Sequence, residues 1–297
     1  MVKFDIVSGF LGAGKTTLVK KILHSLDTCE KIVLIENDFG EVNVDRELLE
    51  IEGFEVYELS NGCVCCKLKG DFLLTLKNLL SQKIDRIIFE PSGIFVLEEI
   101  LDVFKDSEVS GKCFINSVTT VVDVQNFSKN IQGYSEFFKN QIRHASSLVL
   151  SKVQFVNDYE LTQVENSLKS LNETAQLVTK DWAQLSTLDI KELINGSCEC
   201  VLNSSKQYLS HNFDSLGLKT TKTISLDQLK SILEKCKNGH FGALIRVKGI
   251  INSGSHYLEF NYVAGEYSIM AVSEVADGIV SFIGNGLEKE ALASAFV

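Results

Sequence analysis

The residues Gly9-Phe10-Leu11-Gly12-Ala13-Gly14-Lys15-Thr16 have the spacing G-x-x-x-x-G-K-[ST], with Thr17 next in line. Glycines at this spacing let backbone N–H groups wrap a chain of phosphates, and the start of a following helix adds a favourable field. Lys15 is placed to reach the β- and γ-phosphates, and the Thr16 hydroxyl to hold Mg²⁺. Gly9, Gly12, Ala13, Gly14, Lys15, Thr16 and Thr17 are therefore candidate nucleotide-binding residues. A second motif, Glu90-Pro91-Ser92-Gly93, follows the apolar run Ile87-Ile88-Phe89. A carboxylate there suits holding Mg²⁺ through water or orienting an attacking water. Lys15 and Glu90 are the candidate catalytic residues.

Asn61-Gly62-Cys63-Val64-Cys65-Cys66 puts three thiols into four positions. Thiolates select zinc, copper(I) and similar ions. On an extended segment Cys63 and Cys65 share one side and Cys66 takes the other, so a tetrahedral site must recruit further ligands. Glu36 and Glu41 are the nearest candidates. A redox pair and small buried hydrophobes are the competing readings. Cys198 and Cys200 form a second close pair in a polar stretch and read as ordinary cysteines. Cys29, Cys113 and Cys236 are isolated and read as structural. The five histidines share no ligand spacing.

These motifs need elements to hold them. β-branched runs at 3–8, 31–36, 54–59, 84–90, 117–122 and 146–150 alternate with amphipathic segments at 15–26, 70–82, 94–104 and 135–145. A helix at 158–170 and a short strand at 175–178 continue the series. The alternation predicts an α/β domain with a mostly parallel sheet and helices on both faces. Glu36, Glu90, Asp123 and Ser151 then end predicted strands at the carboxyl edge, where such sheets bind ligands. Residues 196–222 read as a linker or irregular segment. A smaller α+β domain follows over 223–297, with a helix at 225–237, strands at 241–251, 256–264, 266–272 and 277–284, and a last helix at 287–296.

Composition narrows the function. Acidic residues outnumber basic ones 39 to 29, a net charge of −10. That argues against a nucleic-acid partner, which demands a basic footprint. No run approaches the ~20 apolar residues of a membrane span. The first motif begins almost at the N-terminus, leaving no room for a signal peptide. A cytoplasmic chain with mostly reduced cysteines is expected.

Together, Gly9 to Thr17, Glu36-Asn37-Asp38-Phe39-Gly40-Glu41, Gly62 to Cys66 and Glu90 to Gly93 resemble the CobW-type metallochaperone GTPases. These are relatives of the nickel-insertion GTPases for urease and hydrogenase. The likeness continues through Val122-Asp123, Gln141-Ile142, Arg246-Val247-Lys248-Gly249 and Phe282-Ile283-Gly284-Asn285, leaving about 155–220 unplaced. It implies a P-loop domain (1–195) and a smaller C-terminal domain, and slow GTP hydrolysis with Mg²⁺. It also implies a Zn²⁺ or Co²⁺ site from Cys65, Glu36 and Glu41, with Cys63 and Cys66 as neighbours. The implied partner is a client metalloprotein or cofactor-dependent enzyme, with a homodimer left open. Ser151-Lys152-Val153-Gln154 stands where the family has Asn-Lys-x-Asp. Ser151, Lys152 and Gln154 are thus the base-reading candidates, and the lost carboxylate predicts weakened preference for GTP over ATP. A nucleotide-responsive metal sensor without turnover is a second reading. A small-molecule kinase is a third, for which no acceptor motif is found.

Overall fold

The computed structural model describes residues 1–27, 29–36, 55–58, 67–133, 135–195, 214–254, 256–263, 265–272 and 278–297. They fall into two compact units, divided between residues 195 and 214.

In the first unit, strands β1 (Val2–Gly9), β2 (Ile32–Glu36), β3 (Glu55–Glu58), β4 (Arg86–Glu90), β5 (Cys113–Asp123), β6 (Ser147–Ser151) and β7 (Gln176–Val178) build one sheet. Their order is β3-β2-β4-β1-β5-β6-β7, and every neighbouring pair is parallel. A parallel sheet covered on both faces wants near-continuous apolar strands, and Val33-Leu34-Ile35, Ile87-Ile88-Phe89 and Leu148-Val149-Leu150 supply them.

Alternate side chains feed two cores. On one face, Phe4, Ile6, Ile35 and Phe89 pack with Phe72 and Leu76 of helix α2 (Lys67–Leu79) and Leu97 and Ile100 of helix α3 (Leu97–Val103). On the other, Val7, Leu34, Ile88 and Val121 meet Leu18 and Ile22 of one helix (Lys15–Ser25) and Ile190 and Leu193 of another (Thr187–Ile194). We label these helices α1 and α8. Between α3 and α8 in sequence come α4 (Ser107–Ser110), α5 (Phe127–Gly133), α6 (Ser135–Arg143) and α7 (Asp158–Leu171).

A buried ionic cluster pins the end of the sheet opposite its carboxyl edge. Arg86 Nη1 donates to Asp5 Oδ2 at 2.6 Å and Arg86 Nε to Glu30 Oε2 at 2.9 Å. Asn116 Nδ2 and Ser117 Oγ donate to Asp5 Oδ1. Burial pushes the Asp5 carboxyl above its ordinary range, and the guanidinium works against that shift.

The second unit is an antiparallel sheet ordered β11-β10-β9-β12-β8. Its strands are β8 (Asp214–Thr220), β9 (Ala243–Asn252), β10 (Tyr257–Val263), β11 (Glu266–Val272) and β12 (Gly278–Asn285). Helices α9 (Leu226–Lys237) and α10 (Lys289–Phe296) pack Leu229, Leu233, Leu292 and Phe296 on Val247, Phe260, Val280 and Phe282. One expectation is corrected here. Residues 214–220 lie in the stretch read as irregular, yet they form an edge strand paired with β12. Asp, Ser, Gly and Lys give that segment poor strand propensity. Its ladder to β12 and the inward Leu216 and Leu218 supply what propensity lacks. Residues 196–213 lie outside the described residues. Among the described residues no helix is long and apolar enough to cross a membrane.

Candidate nucleotide-binding site

The phosphate loop leaves β1 at Gly9 and enters α1 at Lys15. Its apolar members anchor it. Phe10 is buried with its ring edge-on to Phe138 of α6, centroids 6.1 Å apart. Leu11 is buried against the loop after β4, where a Cβ on Gly93 would stand 2.5 Å from the Leu11 nitrogen. Only glycine allows that approach, so the Glu90-Pro91-Ser92-Gly93 loop and the phosphate loop touch backbone to backbone. Gly14 caps α1 in the left-handed region (φ 102°), which suits glycine, and as glycine it brings no side chain to cap the helix. The first-turn N–H groups of α1 are thus not taken by a side chain of the N-cap residue, and a helix start of this kind suits anions.

The sheet edge carries the carboxylates. Glu36, Glu90, Asp123 and Ser151 are the last residues of β2, β4, β5 and β6. The Thr16 hydroxyl donates to Glu90 Oε1 at 2.9 Å. Glu36 is buried and pairs in register with Glu90. Lys15 is buried too, with Nζ donating to the Phe10 carbonyl within the loop at 3.4 Å. Thr16 and Glu90 bring two hard oxygen groups to one place, the ligand type that Mg²⁺ takes, directly or through water. The donor set therefore fits that ion.

Two strands away lies the segment expected to read the base. Lys152 is the one non-glycine residue in the left-handed region among those described (φ 62°). Its Nζ donates to Asp123 Oδ2 at 2.6 Å. Asp123 also accepts from the Gln125 backbone at 3.0 Å and Asn126 Nδ2 at 2.9 Å, so its carboxylate is held on several sides. Ser151 is buried and turns its hydroxyl to the Val122 carbonyl. Gln154 is exposed on the short 3-10 turn Val153–Phe155.

The structure thus joins Thr16 to Glu90, sets Glu36 beside them, and links Lys152 to Asp123. Glu41, Cys63, Cys65 and Cys66, and with them the expected metal cluster, lie outside the described residues, as do Cys198 and Cys200. Of the cysteines expected to be structural, Cys113 and Cys236 are buried and Cys29 is exposed. Burial pushes both buried thiols up to about 12.

Two contributors escaped the reading of residues by type. Gln141 is fully buried and its Nε2 donates to the Gly93 carbonyl at 3.0 Å, steadying the loop after Glu90. Trp182 donates from Nε1 to the Leu150 carbonyl at 2.7 Å, directly before the base segment. Its signal was available: it is the only tryptophan, and it follows a strand at the same sheet edge.

The profile of the CobW/HypB/UreG nucleotide-binding domain matches residues 3–179, and that of the cobalamin synthesis protein cobW C-terminal domain matches residues 213–297. These spans reach into both ends of the stretch that the sequence resemblance left unplaced. The chain is 28% identical over 325 residues to the zinc-regulated GTPase metalloprotein activator 1 of Schizosaccharomyces pombe, covering 92% of this chain and 78% of that protein. It is 25% identical over 315 residues to the zinc chaperone YjiA of Escherichia coli, covering 99% of this chain and 98% of that one. The crystal structure of a zinc-bound triple mutant of the YjiA GTPase matches with a TM-score of 0.50 at 20% identity, over 99% of this chain and 97% of that one; it shares the fold.

Proposed function

Because the chain belongs to the CobW/HypB/UreG family and is a P-loop GTP hydrolase, we propose that its nucleotide cycle is coupled to holding a thiophilic metal ion and passing it to a client metalloprotein. Zinc is the first candidate, since similar proteins carry the names zinc chaperone and zinc-regulated GTPase.

In this reading the backbone of Gly9 to Thr17 cradles the phosphates and Lys15 reaches the β- and γ-phosphates. Thr16 and Glu90 would hold Mg²⁺, which supplies charge neutralisation at the phosphates when bound. Catalysis then comes from positioning and charge, with the attacking water oriented by Glu90 or by a carboxylate of the 36–45 segment. The cargo metal would take Cys65, Glu36 and Glu41, with Cys63 and Cys66 beside them. Thiolate with carboxylate is a donor set that suits zinc, and Co²⁺ is its spectroscopic substitute.

The observation that carries the coupling is the register of β2 on β4. Glu36 lies one strand from Glu90, whose carboxylate accepts from the hydroxyl of the phosphate-loop Thr16. A ligand that moves Glu36 would therefore act beside the carboxylate that would hold Mg²⁺ at the phosphates. Zinc titrations with and without a non-hydrolysable GTP analogue test this. Affinities should change by the same factor in both directions, with a coupling of ~1–3 kcal/mol. Titrations that superimpose would rule coupling out.

A further inference from the structure

A nucleotide whose phosphates sit in loop 9–17 and whose base meets residues 151–154 must cross β5, because β5 lies between β1 and β6. Strands in a sheet are ~4.8 Å apart. The two anchors are thus held about two strand spacings apart at the sheet, but both recognition segments project beyond it. Their separation depends on whatever joins them there.

One side chain does. The Trp182 indole N–H is bonded to the carbonyl of Leu150, next to Ser151 and Lys152. The far end of the same ring, Cη2 and Cζ3, lies 3.4 and 3.6 Å from the place a Cβ on Gly14 would occupy. Gly14 is the residue that caps α1 and closes the phosphate loop. The indole therefore reaches from the end of β6 to the cap of α1. It is braced from behind. Trp182 opens the 3-10 turn Trp182–Gln184, where Asp181 accepts from the Ala183 N–H at 2.9 Å. The neighbouring Lys180 pairs with Asp189 of α8 at 2.7 Å, and α8 packs on α1 through Ile190 and Leu193. A planar ring with two rotatable bonds loses little entropy when held this way.

We propose that Trp182 is a positioning residue that sets the spacing between the phosphate loop and the base-reading segment, so that one nucleotide engages both at once. The inference rests on the nucleotide reading above and deepens it. Linking two binding halves gives its full gain only when the span matches. Losing the spacer should weaken a whole nucleotide while sparing a ligand that uses one half.

The test compares Mg²⁺-GTP with Mg²⁺-tripolyphosphate by calorimetry on the full chain, for wild type, Trp182→Phe and Trp182→Leu. Phenylalanine keeps an aromatic ring but loses the N–H and the reach of Cη2 and Cζ3 toward Gly14; leucine loses the ring as well. We expect tripolyphosphate affinity to stay within twofold throughout. GTP should weaken in Trp182→Phe by at least the about two- to twelvefold of one lost hydrogen bond, and further in Trp182→Leu. Circular dichroism melts confirm folding, and the phenylalanine variant carries the test should the leucine variant fail to fold. GTP affinity unchanged in the variants, or both ligands weakened by one factor, would make the ring mere packing and overturn the proposal. A wild type that binds tripolyphosphate and GTP equally would also overturn it, since no second half is then engaged. A wild type that binds neither would instead overturn the nucleotide reading on which it stands.

Discussion

At the scale of single residues, the base-reading segment departs most from its family pattern. An aspartate at 154 would accept from guanine N1–H and from the exocyclic amine. Gln154 offers one carbonyl acceptor, and its other end is a donor. Gln154 is exposed, two residues after Lys152 on the 3-10 turn that Lys152 caps. Ser151 spends its hydroxyl on Val122 rather than on the loop it precedes. Lys152 is held by Asp123 and can lay its stem along either purine without choosing between them. GTP should therefore be only slightly favoured over ATP, through backbone amides that meet the guanine carbonyl. Gln154→Asp should raise guanine preference by ten- to a hundredfold, the effect of a charge-assisted bond of about 1.5–3 kcal/mol. Competition binding of GTP against ATP in both proteins measures it. Equal selectivity in the two would show that residue 154 does not face the base.

Elements are held at their far ends by the Asp5 and Arg86 cluster. Asp5 lies in β1 and Arg86 opens β4, so the pair ties the strand of the phosphate loop to the strand of Glu90. Removing one partner leaves the other charge buried and uncompensated, which costs about 3–5 kcal/mol. Arg86→Met should lose about that much at neutral pH in urea unfolding. The loss has a defined pH dependence. The folded-state carboxyl of Asp5 is already raised above 3.8 by burial, and losing the guanidinium raises it further. An acid with a raised folded pKa contributes stability below its unfolded pKa and loses it as pH rises through the folded one. The deficit of the variant should therefore shrink as pH falls toward 4. A deficit that stays constant from pH 7 to pH 4 would mean that Asp5 does not bear the unpaired charge.

For the whole molecule, the two units have separate sheets and separate apolar cores. A unit with its own core can fold alone. We expect residues 1–195 to bind GTP as the full chain does and residues 214–297 to melt cooperatively alone. Calorimetry and circular dichroism of the two fragments test this. A C-terminal fragment beginning at 223, as the sequence reading would cut it, lacks β8 and exposes the β12 edge it covers. That shorter piece should melt lower or aggregate. Equal melting of the two C-terminal fragments would make β8 dispensable.

Local spacing was enough to read the phosphate loop, the Glu90 motif and the run of strands that end in Glu36, Glu90, Asp123 and Ser151. In each case the chemistry and the element that holds it are neighbours in the chain. A helical period of 3.6 and a short apolar strand run survive in a single sequence for the same reason. What no periodicity carries is contact between distant segments. Gln141 meets Gly93 across 48 residues, Trp182 meets Leu150 across 32, and Arg86 meets Asp5 across 81. Strand β8 owes its form to β12, more than fifty residues later, and its own composition argues against it. Motif identity follows from adjacency in the chain. The contacts that brace Gly93, reach Gly14 and keep Asp5 buried exist only once the parallel sheet has brought its strands side by side.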